Sequence, residues 1–302
     1  MRCGYSLGPR LRYPGPVVAV ALLAAAQSPA HLLRLSDEVG QSNRYRLELD
    51  IRMRAEYASD GQPDPRTQQL IEALAEGMGL HTAVEYEQRL AAVEEDGTRA
   101  FEVRWHDFEF TGDIGGRPIS PPPIQVESTR ELLSQTAQVR ATPTGRTIDV
   151  TYTHPGLAGL ARQFEQLEGA MPTYLPERPV RVGDRWTSVG QFPVGLSPSG
   201  AGKMTLELEH TLFEVRAGDQ GRIAVIGLSG TFSNLQGIDE AGFGAPMHME
   251  ASLTGSALFD IDQGCYVGGH YEIDMFALHA EGGVEVQLTG HANGSLDLVS
   301  AR

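Results

Sequence analysis

The sequence predicts a mainly β protein, in which long antiparallel strands form a strongly curved sheet or partial barrel accompanied by two short amphipathic helices. Three observations predict this class. Tyr45, Leu47, Leu49, Ile51, Met53, Ala55 and Tyr57 alternate with Arg46, Glu48, Asp50, Arg52, Arg54 and Glu56, the period of two that marks a strand with one buried face. Near the carboxyl end, Val284, Val286 and Leu288 lie opposite Glu285, Gln287, Thr289, His291, Asn293, Ser295 and Asp297 in the same way. The 35 glycines are spread through hairpin and strand segments, which suits the bends and bulges of a coiled sheet.

Residues 1–30 read as a signal peptide. Arg2, Arg10 and Arg12 form a positive start, and Val17 to Ala26 is an apolar run too short to cross a bilayer as a helix. Cleavage is expected after Ala26 or Ala30. Cys3 precedes the apolar run and is misplaced for a lipid-modified cysteine. Removing this segment takes away three arginines and no acid, moving the formal charge from -15 to -18. So acidic a surface repels nucleic-acid phosphates and anionic headgroups. Only Cys265 remains, so no disulfide forms within the mature chain. It is read either as a small buried hydrophobe or as a thiol that pairs between chains. A periplasmic or secreted location follows as an expectation, with no transmembrane helix in the mature chain.

The first β-rich half covers residues 31–170. After the opening strand, SDGQPDP (59–65) is a loop. Leu70, Ile71, Leu74 and Met78 have helical spacing, placing a helix near 66–77. Val84, Tyr86, Leu90 and Ala92 begin a hairpin that turns at Glu95-Asp96-Gly97. Phe101, Val103 and Trp105 continue it, and the phase shifts at Asp107 to give Phe108 and Phe110, as a β-bulge would. The proline-rich stretch 118–124 is irregular. Short strands follow around 124–140 and 146–153, joined at Pro143-Thr144-Gly145. Leu157, Leu160, Ala161, Phe164 and Leu167 mark a second helix near 157–168.

A connecting motif occupies 171–190, and a second β-rich half occupies 191–302. Its strands start at Met204 and run through 222–232, 247–260, 266–277 and 284–298. The halves share a plan, a long alternating strand plus an acid-containing turn, without marked residue identity.

No catalytic centre is legible. Asp107 with Glu109, and Asp260 with Asp262, lie two apart on strands, but accidental pairs are common in so acidic a chain. Asp260-Ile261-Asp262-Gln263-Gly264 lacks the further acids of a calcium loop and reads as a hairpin turn. The histidines show no zinc spacing, no serine sits in a nucleophile elbow, and no metal or cofactor is expected.

The helix 157–168 is followed by Leu175-Pro176-Glu177-Arg178-Pro179-Val180-Arg181-Val182-Gly183-Asp184-Arg185-Trp186. With the hairpin from Gly255 through Phe259-Asp260 to Gly264, this segment resembles the DUF6263-like family of bacterial exported or lipid-anchored proteins of unknown function. The resemblance implies an exported, strand-rich protein and carries no activity. The chain lacks the lipid-anchoring cysteine of some members. Read from its own residues, the motif is scaffold: two prolines fix an extended path, Gly183-Asp184 turns, and Trp186 anchors the next segment in the core. A ligand-stacking role for Trp186 is the alternative.

The function expected is an exported, non-catalytic binding or carrier protein of the cell envelope, with a hydrophobic small molecule as ligand. The alternative is a structural or accessory subunit that docks on an envelope protein. Candidate ligand-binding residues are the inward row Leu47, Leu49, Ile51 and Met53, the helix residues Leu160, Phe164 and Leu167, and Trp186.

Overall fold

The computed structural model describes residues 29–57, 65–119, 135–153, 174–194, 202–218, 221–236, 247–281 and 284–302. Its strands are β1 (Ser42–Tyr57), β2 (Met78–Val93), β3 (Arg99–Ile114), β4 (Arg117–Ile119), β5 (Thr136–Ala141), β6 (Thr147–Tyr152), β7 (Arg185–Val194), β8 (Gly202–Ala217), β9 (Arg222–Gln236), β10 (Met247–Asp260), β11 (Cys265–Glu281) and β12 (Val284–Ala301). One helix, α1 (Pro65–Ala75), lies between β1 and β2. The expected helix near 157–168 lies outside the described residues.

All these strands belong to one antiparallel sheet, ordered β6-β5-β3-β2-β1-β12-β11-β10-β9-β8-β7, with β4 beside β3. The two longest-range partners in sequence, β1 and β12, pair at its middle from Asn43–Ala301 to Tyr57–Val286. Both were the clearest alternating segments. Their apolar sides meet on one face, where Leu47 opposes Leu296 and Ile51 opposes Ala292.

The sheet does not close, since β6 and β7 end the path, yet it curves strongly. Leu35 N–H donates to Pro143 O in the β5–β6 turn, and the adjacent Ser36 N–H donates to Gly264 O in the β10–β11 turn. Those turns are six strand spacings apart along the sheet, roughly 29 Å if it were flat. Neighbouring residues of a chain cannot span that distance. The sheet therefore curls until both turns reach one short segment. Leu175 N–H donating to Thr144 O ties the lead-in of β7 to the β5–β6 turn in the same way.

The segment 31–41 thus acts as a strap across one end of the sheet. His31 and Val180 exchange a pair of backbone hydrogen bonds, and Leu90 exchanges bonds with Gly40 and Gln41. Leu33 is completely buried among Leu175, Val180, Leu206, Leu212 and Phe259. Leu35 packs both on that cluster and on the one formed by Leu90, Phe101 and Ala141, which lie on opposite wings. Arg99, 3% exposed, holds the strap's carbonyls. Its Nε donates to Ser36 O (2.9 Å), its Nη2 to Leu35 O (2.8 Å) and Asp37, and its Nη1 to Gly97 O (3.0 Å).

The other end is covered by α1. Ile71 buries itself against Ala55 and Val286, with Leu74 and Leu288 beside it. Burial of such a side chain contributes about 1.5–3 kcal/mol. Met78, at helical spacing in the sequence, instead opens β2, because Gly77 takes φ +106° and ends the helix in the left-handed region. The phase shift near Asp107 is a bulge: Glu85 pairs with Asp107 and Tyr86 with Trp105, leaving His106 as the extra residue. The Asp260–Gly264 segment is a hairpin turn, with Asp260 Oδ1 accepting from Asp262 N–H and Gln263 N–H at 2.9 Å each.

Replacing Arg99 by Met would leave the strap carbonyls buried without donors. Urea unfolding of Arg99→Met should show a loss of about 3 kcal/mol. A loss below about 0.5 kcal/mol would mean that the strap does not depend on this side chain.

Candidate functional site

Burial along the inward side of β1 changes from one end to the other. Tyr45 (4% exposed) and Leu47 (6%) are sealed near the strap. Leu49 packs on the main core cluster. Ile51 and Met53 are half-buried, and Ala55 is again buried beneath α1. The strap fills one end of the curved sheet and the helix covers the tip of the other, so the intermediate stretch is the least filled.

Strand register extends that stretch sideways. Ile51 lies beside Leu80 and Ala292, and Ala292 beside Ile273. Met53 lies beside Met78 and Gly290, and Gly290 beside Met275. All six large apolar residues (Ile51, Met53, Met78, Leu80, Ile273, Met275) are half-buried. A Cβ on Gly290 would stand 3.0 Å from Met275 Cε and 3.3 Å from Met53 Cγ, so the two thioether chains converge over that glycine. The result is a half-buried apolar strip, termed the trough, across β2, β1, β12 and β11. Methionine suits such a surface, because an unbranched, polarizable chain adapts to irregular apolar partners.

Of the sequence-derived candidates, Leu47, Leu49, Ile51 and Met53 share this face. Leu160, Phe164 and Leu167 lie outside the described residues. Trp186 belongs elsewhere, to the β7–β8 wall of the core. Its indole Nε1–H donates to Tyr174 O at 2.7 Å, and its ring stacks on His210 with centroids 5.2 Å apart and planes 4° apart. Met78, Leu80, Ile273 and Met275 were not among the candidates. β2 starts six residues before Val84, which puts Met78 and Leu80 beside β1, and Ile273 and Met275 join them only through the register of β12 with β11.

His210 is 1% exposed, and its Nε2 lies 2.8 Å from Ser188 Oγ. This is a serine–histidine pair by chemistry, but Ser188 is itself 5% exposed, so no substrate reaches it. Burial pushes the His210 pKa down to about 4. The imidazole is therefore neutral and serves as a hydrogen-bonded element of the core. Cys265 is also buried, with its pKa pushed up to about 11 by burial and by Asp260 nearby.

A cleft of about 690 Å³ lies along the same strands, walled by Asp50–Arg54, Glu76–His81, Thr111–Asp113 and Thr289–His291. The wall stretches on β1, β3 and β12 each begin and end on a residue of the polar side, with Ile51, Met53, Gly112 and Gly290 between them. Successive side chains point to opposite faces. The cleft is therefore on the polar face, and it meets the apolar residues through their backbone. Among the described residues no group of three or more His, Cys, Asp or Glu side chains is placed to hold a metal ion. No described helix is long and apolar enough to cross a membrane.

No family model and no curated protein matches the chain. Among solved structures it is similar to one described as lipid–protein interactions in lipovitellin, with a TM-score of 0.50 and 10% sequence identity. The match covers 88% of this chain and 26% of that one. The chain thus spans about a quarter of its length, and at this identity the likeness concerns the fold alone.

The buried His210 gives a pH dependence with a definite sign. Its folded pKa, about 4, lies below the ordinary histidine value of 6.5, so the unfolded chain binds the extra proton between those values. Stability from this group is complete above about pH 6.5 and falls as the pH drops towards 4, by roughly 3 kcal/mol. Urea unfolding of the wild type and His210→Gln across pH 7 to 4 should show the wild type losing more by about that amount. Parallel losses would remove His210 as the cause.

Proposed function

We propose that this chain is an exported, non-catalytic carrier of the cell envelope that holds a hydrophobic small molecule in the apolar trough of its sheet. The observation that carries the reading is the contiguous half-buried run Ile51, Met53, Met78, Leu80, Ile273 and Met275, six large apolar side chains that strand register places together on the inward face. Filling the trough with an acyl chain or similar body would remove apolar surface from water, at about 25 cal/mol per Å². The fold shared with part of lipovitellin supports the reading, since that structure is described by its lipid–protein interactions. The amino-terminal arginine-plus-apolar segment supports export to the periplasm or beyond. Membership of the DUF6263-like family is part of the proposal and rests on the segment Leu175–Trp186.

The test is native mass spectrometry of protein purified without detergent from its host, followed by organic extraction. The expected result is a mature chain beginning at Gln27 or His31, with a stoichiometric hydrophobic adduct. Ile51→Gln with Met53→Gln should lose the adduct while the circular dichroism spectrum is unchanged. A bare mature mass, with nothing extracted, would contradict the carrier and favour the envelope interaction subunit.

A further inference from the structure

The polar-face cleft is separate from the apolar trough, and its charges are arranged in two rows set by strand register. One row runs Thr111, His81, Asp50, Asn293, and the next runs Asp113, Gly79, Arg52, His291, Asp274. Most of the charges already have partners. His81 Nδ1 is 2.9 Å from Asp50 Oδ1, and His291 Nδ1 is 2.8 Å from Asp274 Oδ1. The latter bond raises the His291 pKa. Arg54 Nε donates to Ala75 O at 3.0 Å.

Arg52 and Asp113 differ from these. Among the described residues neither is engaged in an ion pair or a side-chain hydrogen bond, although both line the cleft. They sit in one row, two strands or roughly 9.6 Å apart, and the only residue between them is Gly79. Asp113 leans over that glycine, with its Oδ2 2.8 Å from where a Cβ on Gly79 would be. Gly79 has no positive φ to explain it, so its effect here is the space that a side chain would take. A carboxylate and a guanidinium thus stand in one row on either side of a residue without a side chain, and they form no ion pair with each other.

We propose that this cleft binds a zwitterionic group, its ammonium against Asp113 and its anionic oxygens against Arg52, above Gly79. A simple anion would meet Arg52 but be repelled by Asp113 in an already acidic molecule, and a simple cation would face the reverse. A zwitterion satisfies both through charge-assisted hydrogen bonds, and the mismatch of single charges supplies the discrimination. His291 Nε2, whose partner nitrogen is fixed on Asp274, adds a second polar group beside Arg52. A soluble aminoalkyl phosphate and the headgroup of a zwitterionic lipid share this chemistry.

Isothermal titration of the full mature protein with O-phosphoethanolamine tests the site, alongside flotation with phosphatidylethanolamine and phosphatidylglycerol vesicles. Binding of the soluble compound supports a free ligand, and selective binding of phosphatidylethanolamine vesicles supports the headgroup. In either case Arg52→Gln and Asp113→Asn should each weaken binding at least about tenfold, and Gly79→Val should abolish it. Met275→Gln, on the opposite face and outside the cleft wall, should leave it unchanged, which separates this site from the trough. Both Arg52 and Asp113 lie on the solvent face, so their variants should melt as the wild type does. No binding of either probe by the wild type would overturn the proposal. So would equal binding of ethyl phosphate, or variants that bind as the wild type does.

Discussion

The carbonyls of Leu35 and Ser36 must find donors at the place where the strap crosses the end of the sheet, and Arg99 supplies them from β3. A fully buried guanidinium is costly unless its donors are used, and here they reach three carbonyls and the Asp37 carboxylate. The same segment bonds to the β5–β6 turn, the β10–β11 turn and the lead-in to β7. A sheet of this width has no reason to hold one curvature through its ladders alone, because neighbouring strands twist freely within a range. The strap fixes the curvature by forcing distant turns to meet.

The gradient of burial follows from that closure. Leu33 fills the strapped end, so Leu206, Leu208, Leu212, Leu253 and Phe259 are wholly buried. α1 covers only the tip of the opposite end through Ile71. Between them, the inward residues of β1, β2 and β11 stay half-buried. The apolar trough is thus a consequence of how the sheet is plugged. The polar cleft on the other face is a separate feature, where Asp113 leans over Gly79.

Much of the sheet was legible because alternation reports a one-sided strand directly, and β1 and β12 proved to be partners at its centre. The bulge at His106 was visible as a phase shift. The strap was not legible. His31 to Gln41 has no periodicity, and its structure comes from backbone bonds to turns far away in sequence and from Arg99, which reads as an ordinary surface charge. For the candidate site, the row Leu47–Met53 was readable from β1 alone. Met78 was hidden by a helical spacing that Gly77 interrupts, Leu80 lay before the strand read from Val84, and the meeting of Met53 with Met275 depends on register across β12. Trp186 packs on the main core cluster, and its stacking on His210 required the pairing of β7 with β8.

The central claim is that the strap and the middle of the sheet form one cooperative unit. Hydrogen exchange of the mature protein under increasing urea measures this directly, by following the amides of Leu35, Ser36 and Val180 beside those of Leu47 and Leu296. The expected result is that the strap amides exchange only with global unfolding, with the same free energy and urea dependence as the central strands. Strap amides that exchange through a low-energy local opening, while Leu47 and Leu296 stay protected and the sheet keeps its strand signal, would contradict it.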